Sequence, residues 1–172
     1  MATKKTDYPK TPRLLVEDAK IAFRNFSGKE GQFNAKGDRN FCLLLTDELA
    51  EDLVAQGWNV KMLRPRDEDD TPRPYIQVKV SWRNQPPKIL MVTGQGKTLL
   101  DEESVAILDL AEIETIDLVV QPYHWTVREE SGIKAYLKTM YVTIVEDKFA
   151  SKYYDVPDSA ISGMTHDEED ED

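Results

Sequence analysis

The chain has 172 residues, 40% hydrophobic and 31% charged, with a formal net charge of −10. That is enough for one domain with its own core and too little for two, and no apolar run approaches the ~18 residues of a bilayer-spanning helix. The polar, basic start MATKKTDYPKTPR is no secretory signal, and Cys42, alone in the apolar run FCLLL, has no partner for an internal disulfide and fits a reducing, cytoplasmic setting.

In chain order, residues 1–13 carry Lys4, Lys5, Lys10 and Arg13 between Pro9 and Pro12 and read as a mobile or loosely docked basic arm. Residues 14–26, LLVEDAKIAFRNF, suggest one long, bent strand, followed by a basic loop with Gly28, Gly31 and Gly37 and a returning apolar strand, RNFCLLLT. Thr46 is placed to N-cap a helix through DELAEDLVAQ, with acids in its first turn and Gly57 ending it. WNVKMLRP reads as a strand and RDEDDTPRP as a charged, proline-broken loop. YIQVKVSW then alternates cleanly, with Ile76, Val78, Val80 and Trp82 on one face and Tyr75, Gln77 and Lys79 on the other. KILMVT is a further strand, and DEESVAILDL a short helix capped by Asp101. IDLVVQPYHWTVRE and GIKAYLKTMYVTIVE pair as a long hairpin, with its turn expected at residues 130–132. About seven strands and two short helices in sequential antiparallel order predict a mainly β fold, a small, partly closed barrel with helical caps.

Motifs for catalysis are sparse. Gly96-Lys97-Thr98 ends a phosphate-binding loop pattern, yet the first glycine of that pattern falls on Met91, and no helix is expected to start at Lys97. A nucleotide hydrolase is therefore disfavoured, and GQGKT reads as a β-turn followed by a basic residue. The two histidines, His124 and His166, have no metal-ligand or nucleophile spacing around them, and the acids of residues 67–70 lack the spacing of a calcium loop. No catalysis, metal or cofactor is expected.

The charge is sorted along the chain. Six acids occupy residues 167–172, so the rest carries −4. Residues 1–40 hold nine Lys/Arg against five acids, residues 71–100 five Lys/Arg and no acid, and residues 101–130 one Arg against nine acids. Overall acidity thus leaves room for an anionic ligand. A single nucleic-acid strand offers phosphates and unstacked bases, so its binder needs cations interleaved with aromatic faces. KIAFRNF, KGDRNF, GWNVKMLRP, YIQVKVSWR and KAYLK have that mixture, and in KAYLK the residues Lys134, Tyr136 and Lys138 share one side of a strand. Phe23, Phe41, Trp58 and Trp82 suit a core as well as a stacking platform, whereas Tyr75, Tyr123 and Tyr136 suit a wet face.

The stretches IAFRNFSGKEG, GDRNFCLLLTDELAEDLVAQGWNVK and GIKAYLKTMYVTI resemble single-stranded DNA-binding proteins encoded by tailed phages and prophages, over roughly residues 14–155 and the acidic end. The resemblance implies an elaborated oligonucleotide-binding (OB) barrel, antiparallel, that binds single-stranded DNA without sequence preference in phage replication or recombination. Carried over by position, it implies a DNA face of Arg24, Lys36, Arg39, Lys61, Tyr75, Lys79, Arg83, Lys134, Tyr136 and Lys138. It also implies a disordered tail over residues 156–172 whose acids, Asp167, Glu168, Glu169, Asp170, Glu171 and Asp172, modulate DNA binding and recruit replication or recombination proteins. Many such tails end on an aromatic or apolar residue, and here the acidic run ends at Asp172. The alternative is an acidic interaction protein that mimics nucleic acid on a host enzyme. The two are separated by whether Lys79, Arg83, Lys134 and Lys138 converge or scatter.

Overall fold

The computed structural model describes residues 11–32, 34–64, 71–83 and 85–146. Residues 1–10 of the basic arm, the acidic loop 65–70 and the tail with its acids 167–172 lie outside the described residues. Nine strands form one sheet: β1 (Leu14–Val16), β2 (Lys20–Asn25), β3 (Arg39–Leu44), β4 (Lys61–Leu63), β5 (Arg73–Val80), β6 (Lys88–Thr93), β7 (Gly96–Leu100), β8 (Ile113–Val127) and β9 (Glu130–Ile144). One helix, α1 (Asp47–Gln56), and one 3-10 turn (Val105–Asp109) complete the described residues. None of these is long and apolar enough to cross a membrane.

The fold is mainly β with short helices, as expected, but its pairing is mixed. The main path runs β1-β8-β9-β5-β3-β2, and β9 is parallel to both β5 and β6. β5 lies beside β9 at Ala135 and Tyr136, and β6 takes over from Thr139 to Thr143. The long strand expected over residues 14–26 is broken, because Asp18 adopts a left-handed φ of 50° and the chain changes partner from β8 to β3. Ala19 donates to the Ile116 carbonyl and the Asp18 N–H to the Asp117 carboxylate, which pins the corner. The two edge strands of the path are thus consecutive in sequence. The sheet must curl until its edges lie a corner apart, yet hydrogen bonds do not close it into a barrel.

The inner face follows the alternation legible in the sequence. Phe41 and Leu43 of β3, Ile76, Val78 and Val80 of β5, and Ile133, Ala135 and Leu137 of β9 are buried in one cluster. α1 is delimited by local chemistry: the Thr46 hydroxyl accepts from the Leu49 N–H at 3.2 Å, and Gly57 turns left-handed at φ 97° to end it. Its Ala50 and Leu53 join the core. Val105 and Leu108 of the 3-10 turn are buried in the same cluster, and the Asp109 carboxylate receives the Phe26 and Ser27 N–H groups at 2.7 and 2.9 Å. The helix expected from Asp101 is shorter and tighter: the 3-10 turn starts after Ser104. Asp101 instead holds the turn that precedes it, accepting from Ser104 and Glu103, hydrogen bonds that hold its carboxyl below the usual range.

Phe23 departs from the local rules. It sits in the β2 bulge at φ 51° and is 67% exposed. A left-handed backbone costs a β-carbon-bearing residue about 1–2 kcal/mol, and asparagine tolerates it better. Phe23→Asn is therefore expected to raise stability by about 1 kcal/mol, read as a melting temperature some 2–4 °C higher. An unchanged or lower melting temperature would show that the ring is held by packing worth more than the strain.

Candidate nucleic-acid interface

The sheet's outer face is assembled from register. Across β3 and β5, Asn40 faces Lys79, Cys42 faces Gln77 and Leu44 faces Tyr75. β4 adds Lys61 beside Tyr75, and β9 adds Tyr136 beside Lys79. Across β8 and β9, Gln121 faces Tyr136 and Tyr123 faces Lys134. Directly paired residues share a face, so Lys61, Tyr75, Lys79, Lys134 and Tyr136 all lie on one side of the sheet. Lys138 belongs to them through a bulge. Val120 pairs Leu137 while Val119 pairs Thr139, which leaves Lys138 as the extra residue, half-buried between the buried Leu137 and Met140. The bulge sits where β9 changes neighbour from β5 to β6.

Electrostatically this face is cationic. Its positions on β3, on β5 and on β9 from Gly132 to Lys138 include no acid, while Glu130 at the hairpin end and Asp117 in the proximal half of β8 bound that stretch. Among the described residues the ion pairs are Lys20–Asp18 and Arg39–Glu102. Burial pushes the half-buried Cys42 thiol up, against the pull of Lys61, and burial followed by the neighbouring thiol pushes the Tyr75 phenol up. Both stay neutral near pH 7, so neither cancels a lysine charge.

Other expected residues fall elsewhere. Arg39 is paired with Val80 on the core side of β3, so the structure does not join it to the outer-face cations. Its guanidinium reaches the Phe26 carbonyl at 3.1 Å and Glu102 at 3.3 Å and lies 5.6 Å from the centre of the Trp82 ring. Its charge is spent on holding loops together. Arg24 is half-buried in the β2 bulge at the edge of the sheet. Lys36 and Arg83 are exposed in the β2–β3 and β5–β6 connections, which leave from the same end of β3 and β5. Phe41 and Trp58 are core residues, whereas Phe23 is not.

The sequence reading missed Arg73, Arg13 and Trp125. Arg73 follows from the alternation of β5, two residues before Tyr75. Arg13 and Trp125 depend on pairing at a distance. β1 runs along β8, and just before it the Arg13 Nε donates to Gln121 Oε1 at 2.6 Å, while Thr11 Oγ1 and His124 Nε2 lie 3.0 Å apart. Residues 11–13 of the arm are thus docked. Trp125 faces Gly132 across the hairpin.

The GQGKT segment is a hairpin. Thr93 pairs Gly96 around a turn at Gly94 and Gln95, and Lys97 and Thr98 lie inside β7. A phosphate loop would place them at a helix start with free amides, whereas here the Gly94 N–H donates to Glu146 at 2.9 Å. The Lys97 ammonium lies 5.4 Å from the centre of the Tyr141 ring. Among the described residues no group of three His, Cys, Asp or Glu is placed to hold a metal ion.

Comparison with known proteins bears on fold and family. No curated protein sequence matches the chain. Among solved structures, it is similar in fold to the single-stranded DNA-binding protein from bacteriophage Enc34 in complex with ssDNA. The identity is 12% and the TM-score 0.53, with 80% of this chain and 89% of that chain covered. A second structure of that phage protein aligns at 13% identity and TM-score 0.51, covering 83% and 90% of the two chains. Its C-terminal truncation aligns at 12% and 0.50, covering 78% and 87%. At such identities the likeness is one of fold. The family model described as "Putative phage ssDNA-binding domain" matches residues 3–172. The chain therefore belongs to the phage single-stranded DNA-binding domain family.

Proposed function

We propose that this protein coats single-stranded DNA without sequence preference during phage replication or recombination, in the host cytoplasm and without catalysis. The observation that supports this best is the gathering of Lys61, Lys79, Lys134 and Lys138 around Tyr75 and Tyr136 on one face, with no acid at the strand positions between them. Lysines there neutralise phosphates and tyrosines stack on bases, and neither contact reads base edges, so the binding tolerates any sequence. Of the four cations that separate DNA binding from mimicry, Lys79, Lys134 and Lys138 share the face, and Arg83 follows β5 in the β5–β6 connection. A mimic of nucleic acid would need acids where these lysines stand.

The deciding experiment is a salt titration of fluorescent oligonucleotide binding, single-stranded against double-stranded. Tight single-strand binding whose affinity falls linearly on a log–log plot against salt is the expected result. Absence of single-strand binding at low salt overturns the proposal.

The tail extends it. Six adjacent carboxylates, 167–172, resemble a phosphate backbone in charge density. Tethered to the domain, they compete for the cationic face at high effective concentration, and once displaced by DNA they are free to dock on basic surfaces of replication partners. Deleting residues 165–172 is expected to tighten single-strand binding at low salt, with the gain shrinking as salt screens the face. Equal affinities for intact and truncated chains across a salt series would leave the tail without a hold on DNA.

A further inference from the structure

Near the far end of the β8–β9 hairpin, the outer face changes from lysine-rich to aromatic. Tyr123 is 58% exposed, and its ring meets that of Tyr136 edge to face, with centroids 6.0 Å apart and planes at 83°. That contact fixes the Tyr123 ring while leaving more than half of the residue in water. Two residues on, about 7 Å along the strand, comes Trp125 on the same side. It lies across Gly132 of β9, and a β-carbon at Gly132 would meet three consecutive indole atoms, Cζ2, Nε1 and Cε2, at 3.0, 3.0 and 3.1 Å. Because the middle atom, Cε2, is no nearer than the two it is bonded to, the Cζ2–Cε2–Nε1 side of the indole approaches the Gly132 backbone obliquely. That side of the ring is packed on the glycine, and the residue is half-buried beside the exposed Tyr123.

Along the chain, Gly132 has the character of a turn residue. The turn is instead Arg128 and Glu129, with Arg128 at φ 58°. Gly132 sits inside a regular strand, where glycine weakens pairing, and the space it leaves is filled by the Trp125 ring.

We infer that Tyr123 and Trp125 form a base-stacking subsite on the β8–β9 hairpin that extends the lysine-lined face, with Gly132 as its positioning residue. This rests on the single-strand-binding reading above. Tyr136, beside Lys79 and edge-on to Tyr123, joins the two parts into one track. Lys134, directly across from Tyr123, supplies a cation for the phosphate next to a stacked base. Stacking serves every base alike, so the subsite adds affinity without sequence preference.

The test compares the full chain with Tyr123→Leu, Trp125→Leu and Gly132→Ala, using a labelled oligothymidylate and an abasic oligonucleotide of the same length. Leucine keeps apolar bulk and removes the π-face. Each leucine variant is expected to weaken oligothymidylate binding roughly 5- to 150-fold, to leave abasic binding within about twofold, and to keep the wild-type salt slope. Gly132→Ala, which displaces the indole without deleting it, takes part of the same loss. Tyr123→Phe, which keeps the ring, binds as wild type and so separates stacking from a folding defect. Failure of the wild type to bind either oligonucleotide overturns the function itself. A wild type that binds oligothymidylate, beside folded leucine variants that bind it equally well, overturns only this inference and leaves Trp125 as a cover for the glycine. Equal loss on both oligonucleotides also overturns it, because the contact would then be to the backbone.

Discussion

Replacing Lys79 and Lys134 together by glutamine is expected to weaken single-strand binding about 25-fold in 0.1 M salt. Each phosphate neutralised on a single strand contributes about 0.7 to the salt slope, which at 0.1 M is about fivefold in affinity per contact. The two lysines flank Tyr136, one across the β5–β9 pairing and one two residues earlier on β9, and both are exposed. Among the described residues no ion pair engages either, so removing the charges breaks no salt bridge there. Stability should stay within about 0.5 kcal/mol of wild type, as for most surface substitutions. The measurement is fluorescence anisotropy over a salt series, with a slope about 1.4 shallower for the double variant. An unchanged slope would remove both residues from the DNA contact, whatever the affinity at one salt concentration.

The largest effect on stability is expected at Phe41. Its side chain is fully buried, packed against Phe26 with ring centroids 5.6 Å apart, and it faces Val78 across the β3–β5 ladder. Phe41→Ala deletes a ring from a close-packed centre and leaves a cavity, a loss of about 3–5 kcal/mol. That is a large part of the roughly 5–15 kcal/mol available to a whole domain. The shift in the urea midpoint, with the slope unchanged, measures it. Binding measured well below the unfolding transition should match wild type, because the ring points away from the cationic face. A loss under 1 kcal/mol with weakened DNA binding would instead mean a one-residue slip of β3, which exchanges Phe41 and Leu43 with Asn40 and Cys42 between core and DNA face.

How much of this could be read in advance depends on the range of the interaction. α1 was legible down to its ends, because Thr46 and Gly57 act on their own neighbours in the chain. The faces of β5 and of the first half of β9 were legible too, since alternation is local. The same alternation already placed Arg39 with Phe41 and Leu43 on the core side, and the carry-over from related proteins set it on the DNA face against that pattern. The parallel neighbours of β9 were not legible, because strands with a two-residue period do not name their partners. Nor was the break at Asp18, which exists because the chain there changes partner at a sheet corner. The hairpin's turn was misplaced by two residues for a related reason. Gly132 looks like turn chemistry along the chain, and its ring neighbour, Trp125, is supplied by the opposite strand.

By itself, then, the sequence determined a mainly β domain, its capped helix, the inner face of β5, and a strand carrying Lys134, Tyr136 and Lys138 on one side. Those follow from periods and caps that operate within a few residues. Only the tertiary structure decided that Lys61, Lys79 and Lys134 become neighbours, that Arg39 turns inward to Glu102, and that Tyr123 and Trp125 continue the cationic face. Those depend on which strands pair and in what register, and pairing is settled by burying the inner faces of the strands around one core.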